Sequence, residues 1–291
     1  VVFEWLFNKI CKKPCSIGDC SAIVTGILLA LVCPPTVPAW MVILGALVAI
    51  VIAKGLFGGI GANVFNPALT GRAFLFISFP AVMGASWLEP FSSFDAVSSA
   101  TILSKIQSGN FAATASTYID LFLGKRAGCI GETCILLLLI SFIFLAAVKV
   151  IDWRAPLGMV GTVVAATFVT ALVKTGDCAA SCQEVLLALL TGGLIFGATF
   201  MVTDYATTPV TKPGRFVFGI GCGLITFLIR TFGGYPEGVM FSILIMNSIA
   251  PFLNNLTVRK YGYGKKGNAK PAPKKIVQDF DVKNAKQEET K

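Results

Sequence analysis

Two short strings concentrate the groups of this 291-residue chain that could do chemistry. The first is Phe94-Asp95-Ala96-Val97-Ser98-Ser99-Ala100-Thr101. A threonine hydroxyl can be esterified, and the small residues before Thr101 leave the backbone open to a bulky phosphate group and to an enzyme delivering it. Asp95 is placed to organise the turn through its side chain. On residue type alone the octet reads first as a helix N-terminus, with Ser98 or Ser99 capping a segment that begins Ala100-Thr101-Ile102-Leu103. The second string is Asn63-Val64-Phe65-Asn66-Pro67-Ala68-Leu69-Thr70-Gly71-Arg72-Ala73-Phe74-Leu75, approached through Gly58, Gly59 and Gly61. Amides at membrane depth are costly unless they bind something or each other. The plainer reading is a cap at Asn66 with Pro67 in the first helical position.

These strings must be held by elements suited to lipid. Charged residues make up 13% of the chain and hydrophobic ones 55%, with mean hydropathy +0.78. Soluble domains carry about 25% charged residues, so lipid is the expected solvent. Apolar runs recur at the length of about 20 residues that crosses the hydrocarbon as helix. They are too long and continuous for barrel strands, which leaves an all-α polytopic transmembrane helical bundle. Candidate spans fall at 1–10, 21–33, 38–56, 72–84, 131–150, 157–174, 184–203, 215–230 and 237–258. The spans 21–33 and 72–84 are too short to cross and suggest half-helices of the kind that surround buried sites in transporters. The chain opens without Met inside an apolar stretch, so one or two further helices are expected to precede it.

Charge sets the orientation. From Arg259 onward ten Lys/Arg face four Asp/Glu, so residues 259–291 carry +6 of the chain's +9. This tail lacks the apolar residues for a core and reads as a disordered cytoplasmic extension of a 1–258 transmembrane domain. Without aromatic interleaving it does not suggest nucleic acid. Counting back from a cytoplasmic tail places Lys212, Arg215, Asp152, Arg154, Lys12 and Lys13 inside, as the positive-inside rule requires. The 85–130 loop, with Thr101, falls outside. An internal repeat is also legible: Ile23-Val24-Thr25-Gly26 and Leu189-Leu190-Thr191-Gly192 each lead to a basic residue and a Phe-Gly-Gly, at Lys54 with 57–59 and at Arg230 with 232–234. The count puts the two glycine pairs on opposite faces, as an inverted repeat requires.

Histidine is absent, which removes the usual proton shuttle and the commonest metal ligand. The nine cysteines show no CxxC spacing and read as small apolar fillers, with a Cys178–Cys182 disulfide or a metal site shared with a partner as alternatives. Glu132, Asp204 and Glu237 fall at helix ends. Solvated termini explain them simply, and cation or proton coupling is the sharper reading, with Asp204 the one to test.

Three later strings complete a pattern: 124–134 with Gly128, Gly131 and Glu132, then 203–211 running from Thr203-Asp204-Tyr205 to Thr208-Pro209-Val210-Thr211, then Tyr235-Pro236-Glu237-Gly238-Val239. Together with the octet and the Asn-Pro-Ala-Leu string, their order over residues 19–258 resembles the membrane subunits of the Rnf and Na⁺-translocating NADH:quinone reductase family. The octet resembles that family's flavinylation motif, with Ser99 where glycine is usual. The resemblance implies an Rnf D-type subunit of a ferredoxin:NAD⁺ oxidoreductase that couples electron flow to Na⁺ or H⁺ export in the bacterial cytoplasmic (inner) membrane. It implies FMN esterified to Thr101, with Asp95, Ser98 and Ser99 shaping the loop, and non-covalent riboflavin near Asn63 and Asn66. Expected partners are the A, B, C, E and G subunits of the complex and a flavin transferase. The chain has no dinucleotide fingerprint and no iron–sulfur ligand set, so NAD⁺ and ferredoxin would react on other subunits. Alternatives are a B-type quinone reductase subunit, a urea-transporter-like channel lined by the Asn63/Asn66 region, and a scaffold protein with a vestigial threonine.

Overall fold

A computed structural model describes residues 1–14, 16–85, 87, 115–233 and 237–257. The basic tail lies outside them, and the rest belongs to one compact unit, Val1–Leu256. No strand occurs among the described residues. The helices are α1 (Val2–Ile10), α2 (Ser21–Leu31), α3 (Ala39–Leu47), α4 (Pro67–Ser78), α5 (Pro80–Ala85), α6 (Ala115–Leu123), α7 (Ile135–Ala147), α8 (Arg154–Thr175), α9 (Cys178–Leu190), α10 (Leu194–Phe196), α11 (Lys212–Phe232) and α12 (Val239–Thr257). Two π-helical turns extend them, Val48–Gly55 after α3 and Gly197–Met201 after α10. Among the described residues α8, α11 and α12 are long and apolar enough to cross a membrane, and α9 with α10 forms a fourth span bent by 62°.

Local chemistry sets the boundaries. Asn66 caps α4, its side-chain oxygen accepting from the Leu69 N–H at 3.2 Å, with Pro67 opening the helix. Thr211 caps α11 in the same way through the Gly214 N–H, again with a proline in the first turn. Gly176, at φ +67, ends α8 in the left-handed conformation. Asp177 immediately caps α9 by accepting from Ala179 N–H at 3.0 Å. The 175–183 connection expected as a loop therefore shrinks to two residues. Helix α4 likewise starts before position 72, because the polar Asn-Pro entry belongs to the helix and its cap. At 11 and 12 residues α2 and α4 rise roughly 16–18 Å and are half-helices, as expected.

The core is built on glycine contacts between α8 and α11. A Cβ on Gly219 would lie 2.2 Å from the Ala155 carbonyl oxygen, and one on Gly223 2.5 Å from that of Met159. Close backbone approach replaces the hydrophobic drive that lipid does not supply. Phe218, Met159, Leu194 and Ile243 fill the space around this seam, all fully buried. The two strings of the internal repeat take different local structures. Thr25 and Gly26 lie within α2, whereas Thr191 and Gly192 lie in the break between α9 and α10. Their basic residues do correspond: Lys54 and Arg230 both sit in the last turn of their helices, and each pairs with a glutamate.

Candidate functional site

Thr101, Asp95, Ser98 and Ser99 lie outside the described residues. Asn63 and Asn66 lie within them and are buried, at 7% and 2% exposure. Asn66 is committed to the fold. Besides capping α4, its side-chain amide points at Met201 Sδ at 3.9 Å, and its backbone N–H donates at 3.1 Å to Asn247 on α12 in the amide orientation that satisfies both Asn247 atoms. Asn63 donates to the Phe65 carbonyl at 3.3 Å, and its side-chain oxygen makes no hydrogen bond among the described residues. Asn63 therefore has an acceptor to offer a ligand, while Asn66 joins α4, α12 and the π turn after α10. Asn66→Ala is expected to cost about 1–2 kcal/mol through the lost cap, read as a lower unfolding midpoint in detergent; an unchanged midpoint would contradict this role.

The sequence did not single out Glu4, which lies against the same glycine-rich approach. Glu4 is 5% exposed and Lys54 4% exposed, and their Oε1 and Nζ atoms meet at 2.6 Å. Ser16 Oγ donates to the same Oε1 at 3.1 Å, and Lys54 also donates to Ser21 Oγ. Glu4 Oε2 is buried without a partner among the described residues. Beside it opens a cavity of about 290 Å³ lined by Phe7, Lys13, Ile50, Gly58, Gly59 and Ile60 among others. A buried carboxylate oxygen without a donor carries a desolvation cost that a bound N–H, O–H or cation would relieve.

A second polar cluster surrounds the break at 191–193. Helix α9 ends with carbonyls that have no helical partner, and Arg126 donates to those of Leu190 and Gly192 and to that of Glu132. On the other side Glu237 Oε2 accepts from the Gly193 N–H at 2.8 Å, and its Oε1 accepts from the Val239 N–H at 3.3 Å. Arg230 pairs with Glu237 at 3.2 Å and donates to the Ala188 carbonyl at 3.0 Å. Arg72 lies 3.7 Å from Glu132 and donates to Cys129 Sγ at 3.4 Å. Glu132 and Glu237 are thus neither solvated termini nor isolated carboxylates: Arg72 stands against Glu132, while Arg230 and two backbone amides hold Glu237 at the broken span. Arg126 was not foreseen, because an arginine in a long loop reads as solvated and its partners are carbonyls remote in the chain.

Asp204 sits in the turn after the second π segment. Burial pushes its carboxyl above the usual range, against the hydrogen bonds from the Thr207 hydroxyl and the Tyr205 and Ala206 amides. Among the described residues no group of three His, Cys, Asp or Glu could hold a metal. Cys33 and Cys222 are buried fillers, as expected. Cys129 is buried too but is a polar partner, accepting from Arg72 and donating to the Val32 carbonyl at 3.1 Å. Cys178 and Cys182 are free, exposed thiols on α9 rather than a disulfide.

Residues 1–262 match the model of the NQR2, RnfD, RnfE family. The chain is 41% identical to the D-type component of the proton-translocating ferredoxin:NAD(+) oxidoreductase complex of Clostridium ljungdahlii, over 88% of this chain and 78% of that one. Identity is also 41% to the D-type component of the Na(+)-translocating ferredoxin:NAD(+) oxidoreductase complex of Acetobacterium woodii, covering 91% and 80%. The B-type component of the Na(+)-translocating NADH-quinone reductase of Ectopseudomonas mendocina is 35% identical, covering 88% and 64%. A helical membrane domain with half-helices and a broken span, matched by the family model along nearly all its length, makes this chain a member of the NQR2, RnfD, RnfE family.

Proposed function

We propose that the chain is the D-type membrane component of an ion-translocating ferredoxin:NAD⁺ oxidoreductase and carries FMN as a phosphoester on Thr101. The observation that carries this reading is the octet ending at Thr101 in a chain of this family, of which the two relatives at 41% identity are D-type components of such complexes. Those relatives differ in the ion they are named for, so either Na⁺ or H⁺ suits this chain. When bound, the flavin supplies the electron chemistry. The protein's part is to offer the Thr101 hydroxyl in a turn of small residues, with Asp95, Ser98 and Ser99 shaping it. The new bond joins Thr101 Oγ to the FMN phosphorus with net loss of water. Asn63, whose side-chain oxygen makes no hydrogen bond among the described residues, is the better placed of the two asparagines to contact non-covalent riboflavin. The remaining subunits and a flavin transferase are the partners this reading requires.

Co-expression with a flavin transferase followed by intact mass spectrometry tests it. An added mass of about 438 Da, FMN less water, is expected on the wild-type chain and absent from Thr101→Ala. A complex of Thr101→Ala that passes electrons at the wild-type rate would leave only the scaffold reading. An unmodified chain that conducts solute into liposomes would favour the channel.

A further inference from the structure

Helices α8 and α11 run parallel, since Ala155 faces Gly219 and Met159 faces Gly223, four residues further along both. Their N-termini therefore meet at one membrane surface, each contributing the positive end of its dipole. Two arginines stand there and share one carboxylate. Asp152 accepts from Arg154 Nη1 at 2.9 Å and from Arg215 Nη1 at 2.9 Å, while the Arg154 N–H donates to its other oxygen at 3.1 Å. Burial alone would raise the Asp152 carboxyl. The Arg154 amide and the two guanidiniums outweigh it and hold the group below the usual carboxylate range, so the trio keeps a net charge of one positive. Lys149 and Lys212 add exposed positive charge at the same end.

The surroundings are those of a membrane interface. Trp153 is exposed, with Arg154 stacked 4.9 Å from its ring centre, and Tyr205 and Val150 are exposed as well. Such aromatic and aliphatic groups sit at headgroup depth. Here opens a cleft of about 70 Å³, lined by Val150, Asp152, Tyr205, Thr208 and Arg215 among others. A cleft of this size has room for a phosphate-sized group. Thr208 is 7% exposed, yet its hydroxyl makes no hydrogen bond among the described residues. Nor does Arg215 Nη2, although Nε holds the Pro209 carbonyl at 2.9 Å and Nη1 holds Asp152.

We propose that this cleft binds the phosphodiester of an anionic phospholipid, with Arg215 Nη2 and Thr208 Oγ1 donating to its non-bridging oxygens. Free phosphate shares that chemistry. The exposed Val150 and Tyr205 that line the cleft favour a lipid, whose glycerol and first acyl carbons they would contact. Basic pockets between membrane helices are suited to such headgroups.

Native mass spectrometry of the full chain, exchanged into nanodiscs of phosphatidylglycerol or phosphatidylcholine, tests the proposal. One phosphatidylglycerol is expected to stay bound under collisional activation that strips phosphatidylcholine. Its occupancy should fall about fivefold in Arg215→Gln, the contribution of one cation near an anionic headgroup. Thr208→Val, which exchanges the hydroxyl for a methyl group, should lower it as well and decides the matter if Arg215→Gln does not fold. Equal retention of both lipids, or occupancy unchanged in a folded variant, would overturn the proposal. Displacement by millimolar inorganic phosphate would assign the cleft to free phosphate and overturn the lipid.

Discussion

Lys54→Ala is expected to destabilise the membrane domain by about 3–5 kcal/mol, because it leaves a buried carboxylate without its counter-ion. Among the described residues Glu4 Oε1 would keep only the Ser16 hydroxyl, and Oε2 has no partner there to begin with. The double variant Glu4→Gln with Lys54→Met should recover most of the loss, since exchanging a buried pair for neutral groups of similar volume is close to neutral. Unfolding midpoints of the wild type, Lys54→Ala and the double variant in one detergent measure this. Single and double variants that are equally destabilised would mean that the pair acts through shape and not charge.

Gly219→Ala should cost about 2–3 kcal/mol, the upper part of the range for overpacking, although it adds only a methyl group. The new Cβ would lie 2.2 Å from the Ala155 carbonyl oxygen and 3.0 Å from the Ala155 Cα, and backbone cannot rotate aside as a side chain can. Gly161→Ala, on α8 with nothing within 4 Å of the new carbon, is the matched control. It should leave stability unchanged or raise it by up to about 1 kcal/mol through helix propensity. Thermal melting of both variants reads the contrast. Equal midpoints would show that α8 and α11 do not depend on backbone contact.

The long spans were legible because their apolar runs are bounded by caps, glycines and prolines. The range 215–230 became Lys212–Phe232, and 237–258 became Val239–Thr257. The shortness of two segments correctly suggested half-helices. Other features left no periodic signal. The π turns read as ordinary helix, and the expected span 184–203 is in fact broken at three residues. Helix α6 lies inside the long loop, where its mixed polar composition hid it. The paired residues of the candidate site were legible as residue types and not as pairs. Nothing near Glu4 in the chain announces Lys54, and nothing near Arg126 announces the carbonyl groups of Leu190 and Gly192. Glu132 and Glu237 were noticed for the cost of a charge in lipid, yet their arginine and amide partners became visible only in three dimensions.

The bend between α9 and α10 has a consequence for how the protein is made. Its two ends are tied by Arg126, which the ribosome synthesises before this segment, and by Glu237, which it synthesises well after. The half-helices must therefore enter the bilayer with one end already tethered and the other waiting. A nascent chain halted before position 237 should hold this region open to proteases until the second tether arrives.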